Sequence, residues 1–160
     1  LELASLLEHT GKPDEAIVEC EEVVRAYPRS ETAANNLAML LVTYRKDEAS
    51  LDRAKQLTAQ FADSGNPYFL DTYGWVRYKR GDSSTSLPAL ARVVKQLPAQ
   101  VVVRYHLGMA QALAGKNTEA RDNLTQVVNS GERFAGLDEA KATLERIAKL
   151  PDAAAPTPKS

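Results

Sequence analysis

Gly74 and Gly108 stand 34 residues apart, and so do Gly81 and Gly115, Leu90 and Leu124, Val93 and Val127, and Val94 and Val128. The same step joins Leu3 to Leu37, Ala4 to Ala38 and Leu7 to Leu41. Between the second and third copies it lengthens to 36, from Leu37 to Tyr73 and from Ala38 to Gly74. Two extra residues are therefore needed, in the Asp47–Ser50 turn or near Ser64–Gly65. The summed interval of 70 links Gly11 to Gly81, Val23 to Val93 and Pro28 to Pro98. A period of this length restricts a chain to a stack of repeated units, each too small to bury its apolar surface alone.

Each unit reads as two amphipathic helices. In the last full unit the spacing predicts helices over 104–114 and 118–129, joined by Gly115-Lys116-Asn117. Gly115 suits a left-handed helix exit, and Asn117 or Thr118 can cap the helix that follows. In the third unit Gly81-Asp82 ends the first helix. Pro88 lacks an N–H and fits the first turn of a helix, so the second helix is expected to start near Ser86 and to be short. Pro28 and Pro98 close their second helices, because the residue before a proline avoids the helical region.

This 34-residue helix–turn–helix unit resembles the tetratricopeptide repeat. The family's first helix carries a large residue, a small one beside it, and another large residue three positions on. Here these are Leu3-Ala4 with Leu7, Leu37-Ala38 with Leu41, Tyr73-Gly74, and Leu107-Gly108. The turn glycine recurs as Gly11, Gly81 and Gly115, with Arg45 in the second unit, and the closing proline as Pro28 and Pro98. Arg77 and Gln111 depart from the pattern, standing where a large apolar residue is usual. The small residues mark where paired helices approach most closely, so a larger side chain would overpack by about 1–3 kcal/mol. The resemblance implies an all-α fold: a right-handed superhelical solenoid of antiparallel helix pairs. Its repeats would span approximately 1–30, 31–66, 67–100 and 101–134. A polar-faced capping helix over 137–150 and a disordered tail over 151–160 would follow. Leu1 falls inside a first helix, so the chain is expected to begin partway through a unit, with further repeats upstream.

Composition narrows the function. With 20 basic and 21 acidic residues the formal charge is −1, which offers neither the basic stripe that nucleic acid requires nor a polybasic membrane anchor. No apolar run approaches the length of a bilayer span, about 20 residues. Cys20, the single cysteine, has no internal disulfide partner and reads as a small buried hydrophobe. His9, His106 and Cys20 are too few and too scattered for a tetrahedral metal site. Ser83-Ser84-Thr85-Ser86 lacks the glycines and lysine of a phosphate loop, and Glu19, Glu21 and Glu22 form a solvated helix face. No enzyme, metal or cofactor is expected.

The concave face of such a solenoid is lined by first helices. One row at repeat spacing is Ser5, Met39, Trp75 and Met109, and another is Glu2, Asn36, Thr72 and His106. Asn35, Tyr68, Asp71, Tyr78 and Tyr105 fall nearby. Aromatic and methionine side chains interspersed with amides suit the capture of a peptide or a partner helix. Members of the family that hold a terminal carboxylate do so with lysines, an arginine and asparagines. Only Asn36 matches that pattern here, since Leu1, Asp71, Tyr68 and Thr72 occupy the basic positions, so a carboxylate clamp is not expected. The expected role is a protein-binding scaffold; the alternative is self-association, as a homo-oligomer or as a spacer in a larger envelope-associated protein. The wording of Asn35–Ala38 and Leu70–Val76 is similar to bacterial repeat proteins of exopolysaccharide export and exosortase systems. Those are often periplasmic lipoproteins.

Overall fold

The computed structural model describes residues 2–153, which fold without any strand. Helices α1 (Glu2–His9) and α2 (Pro13–Ala26) form a hairpin, followed by α3 (Glu31–Tyr44) with α4 (Glu48–Thr58). Next come α5 (Pro67–Lys79) with α6 (Ser83–Gln96), and α7 (Val101–Leu113) with α8 (Asn117–Asn129). The single helix α9 (Leu137–Ile147) closes the series. Each helix packs on the one before it, and the first helices also touch in succession, α3 on α5, α5 on α7 and α7 on α9. The result is an all-α stack of antiparallel pairs.

One buried position runs through all four second helices: Cys20, Ala54, Leu90 and Leu124 are fully buried. The step from Ala54 to Leu90 is already 36, so the two extra residues lie before Leu90 and after Ala54, at the α4–α5 connection. There the chain forms a 3₁₀ turn over Ala59–Phe61. Phe61 is fully buried and stacks on Phe69 at 4.8 Å between ring centres.

The hairpin turns follow local chemistry. Gly81 and Gly115 adopt φ of 76° and 73°, and the residue after each donates its N–H back to the last turn, Asp82 to Arg77 O at 2.9 Å and Lys116 to Gln111 O at 2.9 Å. These are the bonds that a left-handed glycine makes possible at a helix exit. The second helix of the third hairpin corrects the expected start at Ser86. Asp82 accepts from Thr85 N at 3.0 Å and starts α6 at Ser83, which places Pro88 in the second turn. The carbonyl that Pro88 leaves without an N–H belongs to Ser84, which is exposed at the helix start and can bond water. Ser86 is no cap: it is fully buried, and its Oγ donates to Gly74 O at 2.8 Å.

Beyond α9, Pro151, Asp152 and Ala153 lie along the α7–α8 turn. Asn117 Nδ2 donates to Pro151 O, and Ala153 N donates to Gly115 O at 2.8 Å. The rest of the expected tail, 154–160, lies outside the described residues, as does Leu1. Among the described residues no helix is long and apolar enough to cross a membrane.

Candidate interaction groove

The first helices lie side by side, so residues at equivalent positions in successive units form rows across them. Met39, Val42 and Thr43 of α3 face Trp75 and Lys79 of α5, then Val102, Tyr105 and His106 of α7. The connection Phe134–Gly136 and Glu139 of α9 close the far side of a groove of about 340 Å³. Met39 and Thr43 also border a second depression of about 360 Å³, shared with Ser5, Glu8 and Asn36. Together they form one trough crossing α1, α3, α5 and α7.

The expected site residues divide into three sets. Met39, Trp75, Tyr105 and His106 converge on the groove, and Asn36 lines the adjoining depression. Tyr105 and His106 are 3% exposed and Trp75 only 4%, however. Its ring stacks on His106 at 4.0 Å and on Tyr78 at 4.6 Å, and lies tilted against Tyr105 at 5.3 Å. It is therefore a wall packed by the chain's own rings, not a projecting anchor. Met109 and Thr72 are buried in the packing, with Thr72 Oγ1 donating to Tyr68 O at 3.1 Å. Tyr68 is exposed but lies outside the groove lining. Asn35 is half-buried, its Nδ2 donating to Asn36 Oδ1 at 3.4 Å and its Oδ1 lacking a partner among the described residues.

Asp71 and His106 belong to adjacent first helices and pair below the groove. Nδ1 of His106 lies 2.9 and 3.0 Å from the two carboxylate oxygens of Asp71. An imidazole nitrogen facing a carboxylate on both oxygens donates to it, and with His106 only 3% exposed the pair is a buried link between α5 and α7. At the far side Tyr105 donates its hydroxyl to Glu139 Oε2 at 2.8 Å. Burial, aided by that hydrogen bond, pushes the Tyr105 phenol far above its ordinary range. Burial, with the nearby Glu139 charge, pushes Tyr78 up to about 12. Lys79 Nζ sits 4.7 Å from the Trp75 ring centre and 3.8 Å from Glu139 Oε2. The site so combines ring faces, one ammonium and one carboxylate.

Sequence reasoning did not pick out Val42, Thr43, Lys79, Val102, Phe134 or Glu139. Thr43 and Lys79 follow Met39 and Trp75 by four residues, on the same helix face, so an i,i+4 reading reaches them. Phe134 carries no periodic signal, since it lies in a connection whose path is set by packing against Tyr105, 5.2 Å between ring centres. Cys20 is fully buried, and burial pushes its thiol up, as for an inert core residue. No cluster of three or more His, Cys, Asp or Glu side chains able to hold a metal occurs among the described residues.

Residues 103–130, which span most of α7 and all of α8, match the family model described as tetratricopeptide repeat. No curated protein sequence matches the chain. Among solved structures, MamA 41-end from Desulfovibrio magneticus RS-1 superposes with a TM-score of 0.62 at 17% identity, covering 93% of this chain and 91% of that one. A MamA RS-1 double mutant gives 0.62 at 17% identity, with coverages of 93% and 90%. MamA from AMB-1 gives 0.60 at 20% identity, with coverages of 92% and 80%. At such identities the likeness is one of fold: this chain is a stack of helical hairpins built as the MamA structures are, with a tetratricopeptide repeat match in its fourth hairpin.

Proposed function

We propose that this chain is a protein-interaction scaffold that holds a peptide or a helix of a partner protein in the trough between its first helices. The observation that carries this reading is the ring-lined groove at Met39, Trp75, Tyr105 and Phe134, with Lys79, Glu139 and His106 spaced along its walls. A concave, mostly apolar surface with a few fixed polar groups is what peptide capture requires. The two charged groups would set orientation, and the adjoining Asn36 amide would pair with a ligand's backbone.

The test uses a partner cross-linked to the native protein and then titrated against the purified chain. Trp75 is the only tryptophan, so occupation of the groove is read directly as a change in its emission. Met39→Lys and Val102→Glu alter the lining at half-buried and exposed positions. Each is expected to weaken binding by about tenfold or more with helicity unchanged. Wild-type affinity in both variants would sink the proposal. A concentration-dependent oligomer indifferent to both substitutions would favour the structural alternative. Placement in exopolysaccharide export rests on the wording of residues 35–38 and 70–76, and fractionation of the native host is its test.

A further inference from the structure

The groove already holds a cation. Lys79 Nζ lies 4.7 Å from the centre of the Trp75 ring, 5.7 Å from that of Tyr78 and 3.8 Å from Glu139 Oε2. Two ring faces and a carboxylate are the elements of a site for an ammonium or guanidinium group, because the negative face of each ring attracts positive charge. The arrangement belongs to one level of the stack, since the positions 36 before and 34 after Lys79 hold Thr43 and Leu113.

Lys79 keeps this place loosely. Its contact with Glu139 is an ion pair too long to be a hydrogen bond, and its ammonium makes no hydrogen bond among the described residues. The neighbouring rings are fastened, Tyr105 to Glu139 at 2.8 Å and His106 to Asp71 at 2.9 Å. Lys79 is half-buried at the last position of α5, on a flexible stem that can swing into solvent, where an ammonium is strongly hydrated. Its departure bares the indole face that it covers. It also strips Glu139 of its counter-charge, so the exchange favours an incoming cation over a neutral side chain. Arginine suits the vacated place better than lysine. Its planar guanidinium stacks on an aromatic face and forks onto a carboxylate, and Glu139 Oε1 has no partner among the described residues.

We propose that the groove reads an arginine of the partner, whose guanidinium displaces Lys79 from the face of Trp75 and pairs with Glu139. This rests on the groove being the binding surface, and specifies what the bound segment carries.

The test starts from random peptides displayed on phage and selected on the intact chain. Peptides retained by the wild type and lost on Met39→Lys are expected to be rich in arginine, and selection on Glu139→Gln to remove that bias. Glutamine still accepts the Tyr105 hydroxyl, and circular dichroism checks that each variant keeps its helicity. The best arginine peptide and its citrulline counterpart, similar in shape but uncharged, are then titrated against Trp75 emission. Citrulline should bind the wild type about tenfold more weakly, and Glu139→Gln should bring the two peptides within about twofold. Lys79→Met should tighten the arginine peptide about tenfold while leaving the citrulline peptide unchanged, in about 0.5 M salt as well, where long-range attraction is screened. Groove-dependent peptides without a basic residue overturn the arginine assignment and leave the groove standing. So does a Lys79→Met variant that binds the arginine peptide more weakly. If no retained peptide is lost on Met39→Lys, the groove reading itself falls, and this one with it.

Discussion

A methyl group on Gly74 would lie 2.7 Å from Leu90 Cγ, and one on Gly108 would lie 2.8 Å from Leu124 Cδ2. The equivalent pairs in the first two hairpins are Ala4 with Cys20 and Ala38 with Ala54. Glycine therefore stands where its partner is leucine, and alanine where its partner is small, so each pair's side-chain sizes offset one another. Gly74→Ala is expected to cost about 1–3 kcal/mol despite alanine's better helix propensity. Leu90→Ala alone should cost about 2–5 kcal/mol. The double variant should lose at least about 1 kcal/mol less than the sum, as urea midpoints of the four proteins will show; strict additivity would refute the complementarity. The buried tyrosines make a second prediction. Tyr78 and Tyr105 both hold their protons more tightly folded than unfolded. Their contribution is fully present below pH 10 and is lost as pH rises toward the folded value, about 12 for Tyr78. The urea midpoint should accordingly stay flat up to pH 10 and fall above it, less steeply in Tyr78→Phe.

At the scale of elements, four helices among the described residues begin on a side-chain cap. Ser30, Asp47, Asn66 and Asp82 accept from Ala33, Ser50, Tyr68 and Thr85 N respectively. Asp82→Ala should cost about 1 kcal/mol, the ordinary loss for an N-cap, read from thermal or urea unfolding. The bonds from Thr85 hold its carboxyl below the usual range, so this stability is present above that range and fades as pH falls through the folded value. Helix α8 is different, for Lys116 at its cap position makes no such bond. Asp152 accepts from Thr118 N at 2.7 Å instead, and Arg121 donates to the carbonyls of Ile147 and Leu150. In Asp152→Ala, the amide of Thr118 should exchange with solvent faster while those of α5 are unaffected. Helix existence and register were legible in the chain because the 34-residue step fixes both. The start of α6 was not, because the pull of Asp82 outweighs the preference of Pro88 for a first turn. The groove was half legible: face arithmetic placed Trp75 and His106 on the inner side. It could not show that the His106 ring covers the indole, or that Phe134 folds back onto Tyr105.

For the molecule as a whole, order comes from neighbours, since each helix touches only those adjacent to it in the stack. Stability should then be graded along the array. Helix α1 contributes one buried residue, Ala4, whereas α5 and α7 are buried along most of their length. Native-state hydrogen exchange is expected to release the amides of α1 and α2 first and those of α5 to α7 last; uniform protection would contradict a nearest-neighbour stack. The 3₁₀ turn around Phe61 bears on a hazard particular to chains made of look-alike parts. Interchangeable hairpins can dock out of sequence during folding, the second sitting where the third belongs, and become trapped there. A joint that differs from every other, fastened by the Phe61–Phe69 stack, tells the folding chain which hairpin comes next, so an irregularity in the repeat becomes a guard against misassembly.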